Sequence, residues 1–520
     1  MEKQQKSGHL VLVMAPFQGH LTPMLQLATI LHSKGFSITI VHPELNSLNP
    51  SNHPEFTFVP IPDKIKESQL SDEDLADKLK ESLVSTVDVA GSVQSLNKNC
   101  AAPLKKCLEN ILHSHHHIAA VIYDTLMFCA QTIVNDLGLP GITLRTSSAT
   151  TLLLFPVLPQ LGEKELMSGI ESPELQALQL QRLRALIVQN PTQAMMEVRA
   201  AFTNAMKFSS AIIVNSMEFL ELEALSKVRQ YFRTPIFIVG PLHKLAPAIC
   251  GSLLTEDDKC ISWLNKQAPK SVIYVSLGSI ANIDKQELIE TAWGLSNSKQ
   301  PFLWVVRPAP AICGSLLTED DKCISWLNKQ APKSVIYVSL GSIANIDKQE
   351  LIETAWGLSN SKQPFLWVVR PGMVCGSEWI ESLPNGFEEN VGERGCIVKW
   401  APQKEVLAHG AVGGFWSHCG WNSTIESICE GVPMLCRPFF GDQLLNTSYI
   451  CNVWKIGLEL QNLERGNIER TIKRLMVDME GKDIRKRAMD LKKKAALCLM
   501  EDGSTSSFNG LIKQITVSET

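Results

Sequence analysis

The sequence predicts an α/β protein made of two doubly wound parallel sheets. Three observations carry that expectation. Short β-rich runs alternate with helical patterns from the first residues, as they must where parallel strands are joined by helices. The alternation starts afresh at SVIYVSL, beyond a junction at residues 240–253. The chain is 520 residues long, too long for one core and suited to domains of about 200 residues each.

In order, HLVLVMA is a short apolar run and the first strand. LTPMLQLATILHSKG, expected to begin its helix at Leu21, closes on a glycine. SITIVHP and FTFVPIP are the next strands, followed by a long helical stretch and the strands AAVIYD and GITLRTS. The second domain runs through SVIYVSL, the helical ELIETAWGLSNSK, PFLWVVRP, CIVKW, EVLAHG, GGFWSHCG, the helical NSTIESICEG and VPMLCRP. Residues 467–499 are charged and helical, and EDGSTSSFNG reads as a turn-rich end. The expected divisions are 1–240, a linker with further sequence at 241–308, 309–500, and a tail at 501–520.

Residues 246–308 and 309–371 are identical at every position, a 63-residue tandem repeat. Solenoids need at least about three units and atypical capping units. Two perfect copies meet neither condition, so the repeat reads as a recent in-frame duplication or a gene-model error.

Charged residues are 20% and hydrophobic ones 45% of the chain, and the formal net charge is −4. This balance gives no basic footprint for nucleic acid or an anionic membrane, which points to small-molecule substrates. The apolar run near the N-terminus, Leu10 to Ala15, lacks a small-residue cleavage site, so no signal peptide is expected. No run of 18 apolar residues predicts a membrane span. The 14 cysteines include no C-x-x-C pair and suit a reducing, cytoplasmic setting.

Ligands of open α/β sheets lie beyond the carboxyl ends of strands, and two facing sheets would form a cleft with one ligand per side. His20 follows the first strand in MAPFQGHLTPM, and Asp124 closes AAVIYD. In the common order 3-2-1-4-5 these strands are neighbours at the point where the winding reverses. A carboxylate on one imidazole nitrogen fixes the tautomer and frees the other nitrogen to accept a proton. Taken singly, both residues could equally be structural. The triplet His115, His116, His117 and the pair Asp72, Asp74 do not make a metal site. Consecutive extended residues point opposite ways, and SDEDLADKL reads as a helix start.

The specific signal is WAPQKEVLAHGAVGGFWSHCGWNSTIESICEGVPMLCRPFFGDQ. Here strand GGFWS, loop HCGW and helix NSTIESICEG form a turn and helix N-terminus suited to an anion. Neither a G-x-G-x-x-G fingerprint nor a Walker lysine is present. Ser423 to Glu426 also reads as a capping box, and Trp400 as ordinary core.

As a whole, this stretch from Trp400 to Gln443 resembles the donor-binding signature of plant family 1 UDP-dependent glycosyltransferases. APFQGHLTPM and YVSLGS extend the resemblance over essentially the whole chain. It is nearest the branch that includes the steviol-glycoside glucosyltransferases. The resemblance implies a GT-B fold of two facing Rossmann-like domains, the N-terminal one for the acceptor and the C-terminal one for the UDP-sugar. It implies that Trp400 stacks on uracil, that Ala401 and Gln403 read the uridine, and that Glu426 holds the ribose. His418, Trp421, Asn422 and Ser423 would bind the pyrophosphate, with Gly420 admitting the chain close to it. Asp442 and Gln443 would bind the sugar, glutamine being the form that favours UDP-glucose. His20 matches the general base and Asp124 its partner. Leu126, Met127, Thr146, Ser147 and Phe155 are candidate acceptor walls, with core packing the competing explanation.

The resemblance implies inverting transfer of glucose to a hydroxyl or carboxyl of a terpenoid, flavonoid or other phenolic, with no cofactor or metal beyond the co-substrate UDP-glucose. The expected partners are a nucleotide sugar and a small acceptor, without nucleic acid or membrane insertion, on a monomer. The serine ending SLGS would touch the donor phosphates, making Ser279 and Ser342 rivals. Ser342 is favoured, because linkers accept insertions best. The alternatives are a UDP-sugar-binding protein whose catalysis the duplication has impaired, and a nicotinamide oxidoreductase, which lacks its glycine fingerprint.

Overall fold

The computed structural model describes residues 7–45, 48, 50–63, 86–115, 117–154, 193–246, 395–398, 401, 403–439, 441–500 and 504–517. Between 247 and 394 it describes 264, 272–276, 282–284, 298–299, 302–306, 335–339, 344–346, 353–355, 362–363 and 365–369. The chain divides into two compact units. One comprises Met1–Ser172, Leu183–Leu253 and Lys494–Thr520, and the other Pro173–Arg182 and Leu254–Lys493.

The first unit holds a parallel sheet of β1 (Ser7–Val13), β2 (Phe36–Pro43), β3 (Thr57–Ile61), β4 (Ala120–Asp124), β5 (Gly141–Arg145), β6 (Ala211–Val214) and β7 (Ile236–Ile238). Its order is β3-β2-β1-β4-β5-β6-β7. The winding therefore reverses between β1 and β4, the neighbours expected from the sequence. Its helices are α1 (Gln18–Ser33), α2 (Thr86–His115), α3 (Cys129–Asp136), α4 (Ala149–Leu154), α5 (Gln193–Phe208), α6 (Leu222–Tyr231) and α7 (Leu242–Leu245).

The first strand shows why its apolar run is continuous. Leu10 and Leu12 face one core cluster with Leu21, Met24 and Leu25 of α1. Val11 and Val13 face another with Leu104 and Leu108 of α2. A strand covered on both faces has no solvent side on which to alternate.

The second unit contains β8 (Val272–Ser276), β9 (Asn282–Asp284), β10 (Ser298–Lys299), β11 (Phe302–Val306), β12 (Val335–Ser339), β13 (Ala344–Ile346), β14 (Lys362–Gln363), β15 (Phe365–Val369), β16 (Gly395–Val398), β17 (Val412–Ser417), β18 (Met434–Cys436) and β19 (Gly457–Glu459). Its main sheet runs β11-β16-β15-β12-β8-β17-β18-β19. The helices are α8 (Gln403–Ala408), α9 (Trp421–Glu430), α10 (Asp442–Ser448), α11 (Arg465–Met476) and α12 (Met479–Cys498).

Both copies of the repeat thus place strands in one sheet. β11 and β15 present equivalent residues to β16, Phe302 and Phe365 each registering with Gly395. β8, from the first copy, runs beside β17 from Val272↔Val412 to Ser276↔Ser417. β12, from the second copy, registers with β17 at Val335↔Val412 and with β8 at Tyr337↔Tyr274. The strand next to β17 therefore comes chiefly from the first copy, where the linker argument had favoured the second. The second copy contributes elsewhere: Glu353 forms a two-pronged ion pair with Arg465 of α11.

Two expected boundaries move. Residues 241–253, including 246–253 of the first copy, fall in the first unit, and the rest of both copies falls in the second, so the division at 241–308 is split at 253. The expected tail contains a helix, α13 (Ser504–Val517). It belongs to the first unit, with Phe508, Leu511 and Ile515 buried in the same cluster as β1 and α1. β6, β7, β9, β10, β13, β14 and β19 are further strands that the sequence pattern does not show, each of two to four residues and too short for a period; β10 ends a stretch expected to be helical.

Candidate active site

In the first unit, three strand ends converge on one imidazole. α1 begins at Gln18, after Phe17, rather than at Leu21. His20 therefore sits in its first turn, directly after the helical Gly19. The Nδ1 of His20 lies 2.8 Å from Oδ2 of Asp124, which ends β4. Oδ1 of Asp124 accepts the backbone N–H of Leu126 at 2.8 Å. The hydroxyl of Thr146, the residue after β5, stands 3.1 Å from the same Nδ1.

These contacts settle the tautomer. An ionised carboxylate only accepts hydrogen bonds, so Nδ1 carries the proton and Nε2 holds the lone pair. Nε2 has no hydrogen-bond partner among the described residues, and the His20 side chain is 24% exposed against 1% for Asp124. The arrangement is a buried carboxylate fixing a partly exposed imidazole.

The candidate acceptor walls divide. Leu126 is half-buried, and Met127 is fully buried in the cluster of β1, β4 and α2. Met127 is therefore core rather than a wall. Thr146 is buried with its hydroxyl on His20, a role the sequence did not suggest. The Ser147 hydroxyl oxygen is buried without a partner among the described residues. Phe155 lies outside the described residues.

Behind this loop, the fully buried Glu221 accepts the N–H groups of Ala149 and Thr150 at 2.9 Å and the hydroxyls of Thr150 and Ser216. Burial raises its carboxyl above the ordinary range, opposed by these four hydrogen bonds. It anchors the loop that carries Thr146. Nothing in its sequence context, EFLELEAL, signalled that.

In the second unit, β17 runs into His418, Cys419 and Gly420, and α9 starts at Trp421 with Gly420 as its N-cap. The N-cap is a glycine with no side chain to offer, rather than Ser423, so the expected capping box is absent. Ser423 lies inside the first turn, and its hydroxyl accepts from Nε2 of Gln403 at 2.8 Å. Glu426 likewise accepts from Nε2 of Gln403 at 2.7 Å. Because Glu426 only accepts, the amide end facing it must be the NH2, and Oε1 faces the other way. There it accepts the hydroxyl of Tyr274 in β8 at 3.0 Å.

The glycine loop is tight. Cys419 has φ of 66°, a conformation uncommon for non-glycine residues. A Cβ on Gly420 would come within 2.5 Å of His418 Nε2. His418 is buried, its Nδ1 has no partner among the described residues, and burial lowers its pKa to about 3. It is thus neutral at ordinary pH and able to donate one N–H. Asn446 of α10 donates to Cys419 O at 3.0 Å, tying α10 to the loop.

Asp442, in the first turn of α10, accepts from Asn446 at 3.3 Å. The side-chain oxygen of Gln443 accepts the Phe439 N–H at 2.9 Å. Ala401 is buried, and Asn422 is half-buried in the first turn of α9. Trp400, Ser279, Ser342, His116, Asp72 and Asp74 lie outside the described residues. Among the described residues no group of three or more His, Cys, Asp or Glu could hold a metal ion, and no helix is long and apolar enough to cross a membrane.

Two parallel α/β units, one ending its strands at an oriented histidine and the other at a glycine loop and helix N-terminus, define the GT-B class of transferase. Solved structures of that architecture align over nearly the full length. Phytolacca americana UGT2 complexed with UDP-2fluoro-glucose and pterostilbene has a TM-score of 0.68 at 23% identity, covering 98% of this chain and 100% of that one. Os79 from O. sativa in complex with UDP gives 0.69 at 23%, with the same coverage. The pattern of the family described as "UDP-glucoronosyl and UDP-glucosyl transferase" matches residues 9–329 and again 318–493. UDP-glycosyltransferase 76E1 of Solanum lycopersicum is 39% identical over 99% of this chain and 94% of its own. UDP-glycosyltransferase 76H1 of Stevia rebaudiana is 39% identical over 95% of this chain and 100% of its own. The chain belongs to this family and is a UDP-dependent glycosyltransferase.

Proposed function

We propose that this enzyme transfers glucose from UDP-glucose to a hydroxyl, or a carboxyl, of a small lipophilic acceptor of terpenoid, flavonoid or other phenolic type, with inversion at the anomeric carbon. The observation that carries the reading is the His20–Asp124 pair, with a protonated Nδ1 held at 2.8 Å and an Nε2 that no described residue engages, on a partly exposed ring. That nitrogen takes the acceptor's proton as its oxygen attacks the anomeric carbon. Asp124 stabilises the imidazolium that forms. Thr146, accepting a share of the same N–H, helps hold the ring.

Attack opposite the UDP leaving group turns an α-linked donor into a β-glycoside. Charge grows on the departing diphosphate, and the neutral His418 N–H with the start of α9 suits that charge. Glu426 holds the ribose, with Gln403 against the uridine and Asp442 and Gln443 against the sugar hydroxyls. This chemistry calls on no metal or further cofactor. Ser147, whose hydroxyl has no partner among the described residues, is the group best suited to meet a polar atom of the acceptor. The solved relatives complexed with pterostilbene and with trichothecene support an apolar, polycyclic or stilbene-like acceptor.

The test is UDP release with UDP-glucose and a mixed panel of phenolic and terpenoid acceptors, with products identified by mass spectrometry. His20-dependent release of UDP with a new β-glucoside is expected. Measurable UDP binding without His20-dependent release would instead establish a donor-binding protein impaired by its duplication.

A further inference from the structure

We infer that Tyr274 of the first copy is a positioning residue for the nucleotide-sugar donor, and therefore that the first of the two identical segments serves the donor site. The inference rests on the reading that Gln403 faces the uridine. Gln403 makes its contacts in two directions. Its NH2 is divided between Ser423 and Glu426, and its Oε1 receives the Tyr274 hydroxyl at 3.0 Å. A primary amide has two nearly isosteric ends, and a carboxylate accepts from only one of them. The tyrosine donor and the Glu426 acceptor together leave a single orientation for the amide. Glu426 and Ser423, both in α9, are thereby held by the same side chain.

Tyr274 is itself fixed. It is buried, and its ring stacks on Phe415 at 4.8 Å between centroids and 20° between planes. Phe415 is its register partner in β17, three residues before His418. The second copy carries the same tyrosine at Tyr337, so side-chain chemistry cannot discriminate between them. Placement does. β8 registers with β17 from Val272↔Val412 to Ser276↔Ser417 and sets Tyr274 opposite Phe415, whereas β12 registers with β17 at Val335↔Val412, and Tyr337 stands opposite Leu366 of its own copy and opposite Tyr274 itself.

Deleting one copy cannot test this, because removal of 246–308 or of 309–371 leaves the same 457-residue sequence. Point substitutions in the full chain can mark each copy. Tyr274→Phe, Tyr337→Phe and Gln403→Ala are compared by KM for UDP-glucose, KM for the acceptor, kcat, and UDP affinity by calorimetry, which needs no turnover. Phenylalanine keeps the ring stack, so the melting temperature checks only that the fold is retained.

Tyr274→Phe is expected to raise the donor KM and weaken UDP binding by about three- to tenfold, the loss of one neutral hydrogen bond. The acceptor KM should stay put, and Tyr337→Phe should match the parent chain. An effect carried by Tyr337→Phe, or shared equally by both, overturns the assignment. So does silence from both while Gln403→Ala weakens UDP binding. If Gln403→Ala itself leaves UDP binding untouched, the uridine role of Gln403 is wrong, and the inference falls with it.

Discussion

The proton on Nδ1 of His20 is placed by Asp124, and the value of that placement is measurable. Replacing His20 with Ala should lower kcat about 10²- to 10⁴-fold, the usual worth of a positioned general base, with UDP affinity intact by calorimetry. Asp124→Asn keeps the size of the side chain but presents no second acceptor oxygen, so the amide competes for the wrong tautomer. A kcat loss approaching that of His20→Ala is expected, whereas a purely structural Asp124 would show its effect in the melting temperature instead. Two other histidines set a pH limit. Burial lowers His409 and His418 to about 3, while both return to about 6.5 in the unfolded chain. Between those values the unfolded chain binds more protons, so stability falls as pH drops from about 6.5 towards 3 and is unaffected above that window. Each histidine contributes at most about 1.4 kcal/mol per pH unit. Melting temperatures between pH 7 and 4 should decline, and less steeply in His409→Gln. The ring it replaces accepts the Ala411 N–H at Nδ1, an interaction that protonation would break.

At the scale of elements, the loop between β17 and α9 and the returning helix α13 are the points of weakness. Gly420→Ala puts a methyl against the His418 ring, 2.5 Å from Nε2. A packed interior has no room to absorb that, and the ring must move. UDP affinity should fall about tenfold, equivalent to ~1.4 kcal/mol, with little change in the acceptor KM; unaltered UDP binding would show that His418 does not touch the diphosphate. α13 carries a different load. Leu511 is fully buried in the cluster of β1 and α1, so Leu511→Ala should cost about 2 to 5 kcal/mol of stability, read as a shift in the denaturant midpoint. A mobile tail would show no such shift. The long, patterned elements of the N-terminal half were legible in the sequence because strand runs and their flanking helices are locally encoded. The role of α13 was not, because SSFNGLIKQI gains its partners from strands hundreds of residues earlier in the chain.

For the whole molecule, the duplication is the main liability. An extra 63 residues cost only on the order of 1 to 2 kcal/mol in loop closure, but the chain carries two sets of apolar strands for one set of neighbours. β11 and β15 both register with β16 at the same glycine, and surplus apolar strands favour association between chains. The 457-residue chain lacking one copy should give higher soluble yield and equal or higher turnover than the full chain. Equal yield and equal turnover would show that the second set is accommodated without penalty. The family pattern itself matches in two overlapping spans, 9–329 and 318–493, as it would where one segment is read twice.

The sequence alone determined the α/β class, the two-sheet plan, the pairing of His20 with Asp124 across the winding reversal, and the family. All of these follow from periodic apolar runs, chain connectivity and a contiguous signature, which are properties of neighbouring residues. Tertiary structure decided what depends on residues distant in sequence: the Thr146 hydroxyl on the histidine, Met127 in the core, Ser423 and Glu426 bonded to Gln403, and the last helix packed with the first strand. It also set the hydroxyl of Tyr274, in the first copy, against Gln403. Identical sequences have identical local preferences, so only the neighbours each copy reaches can tell them apart.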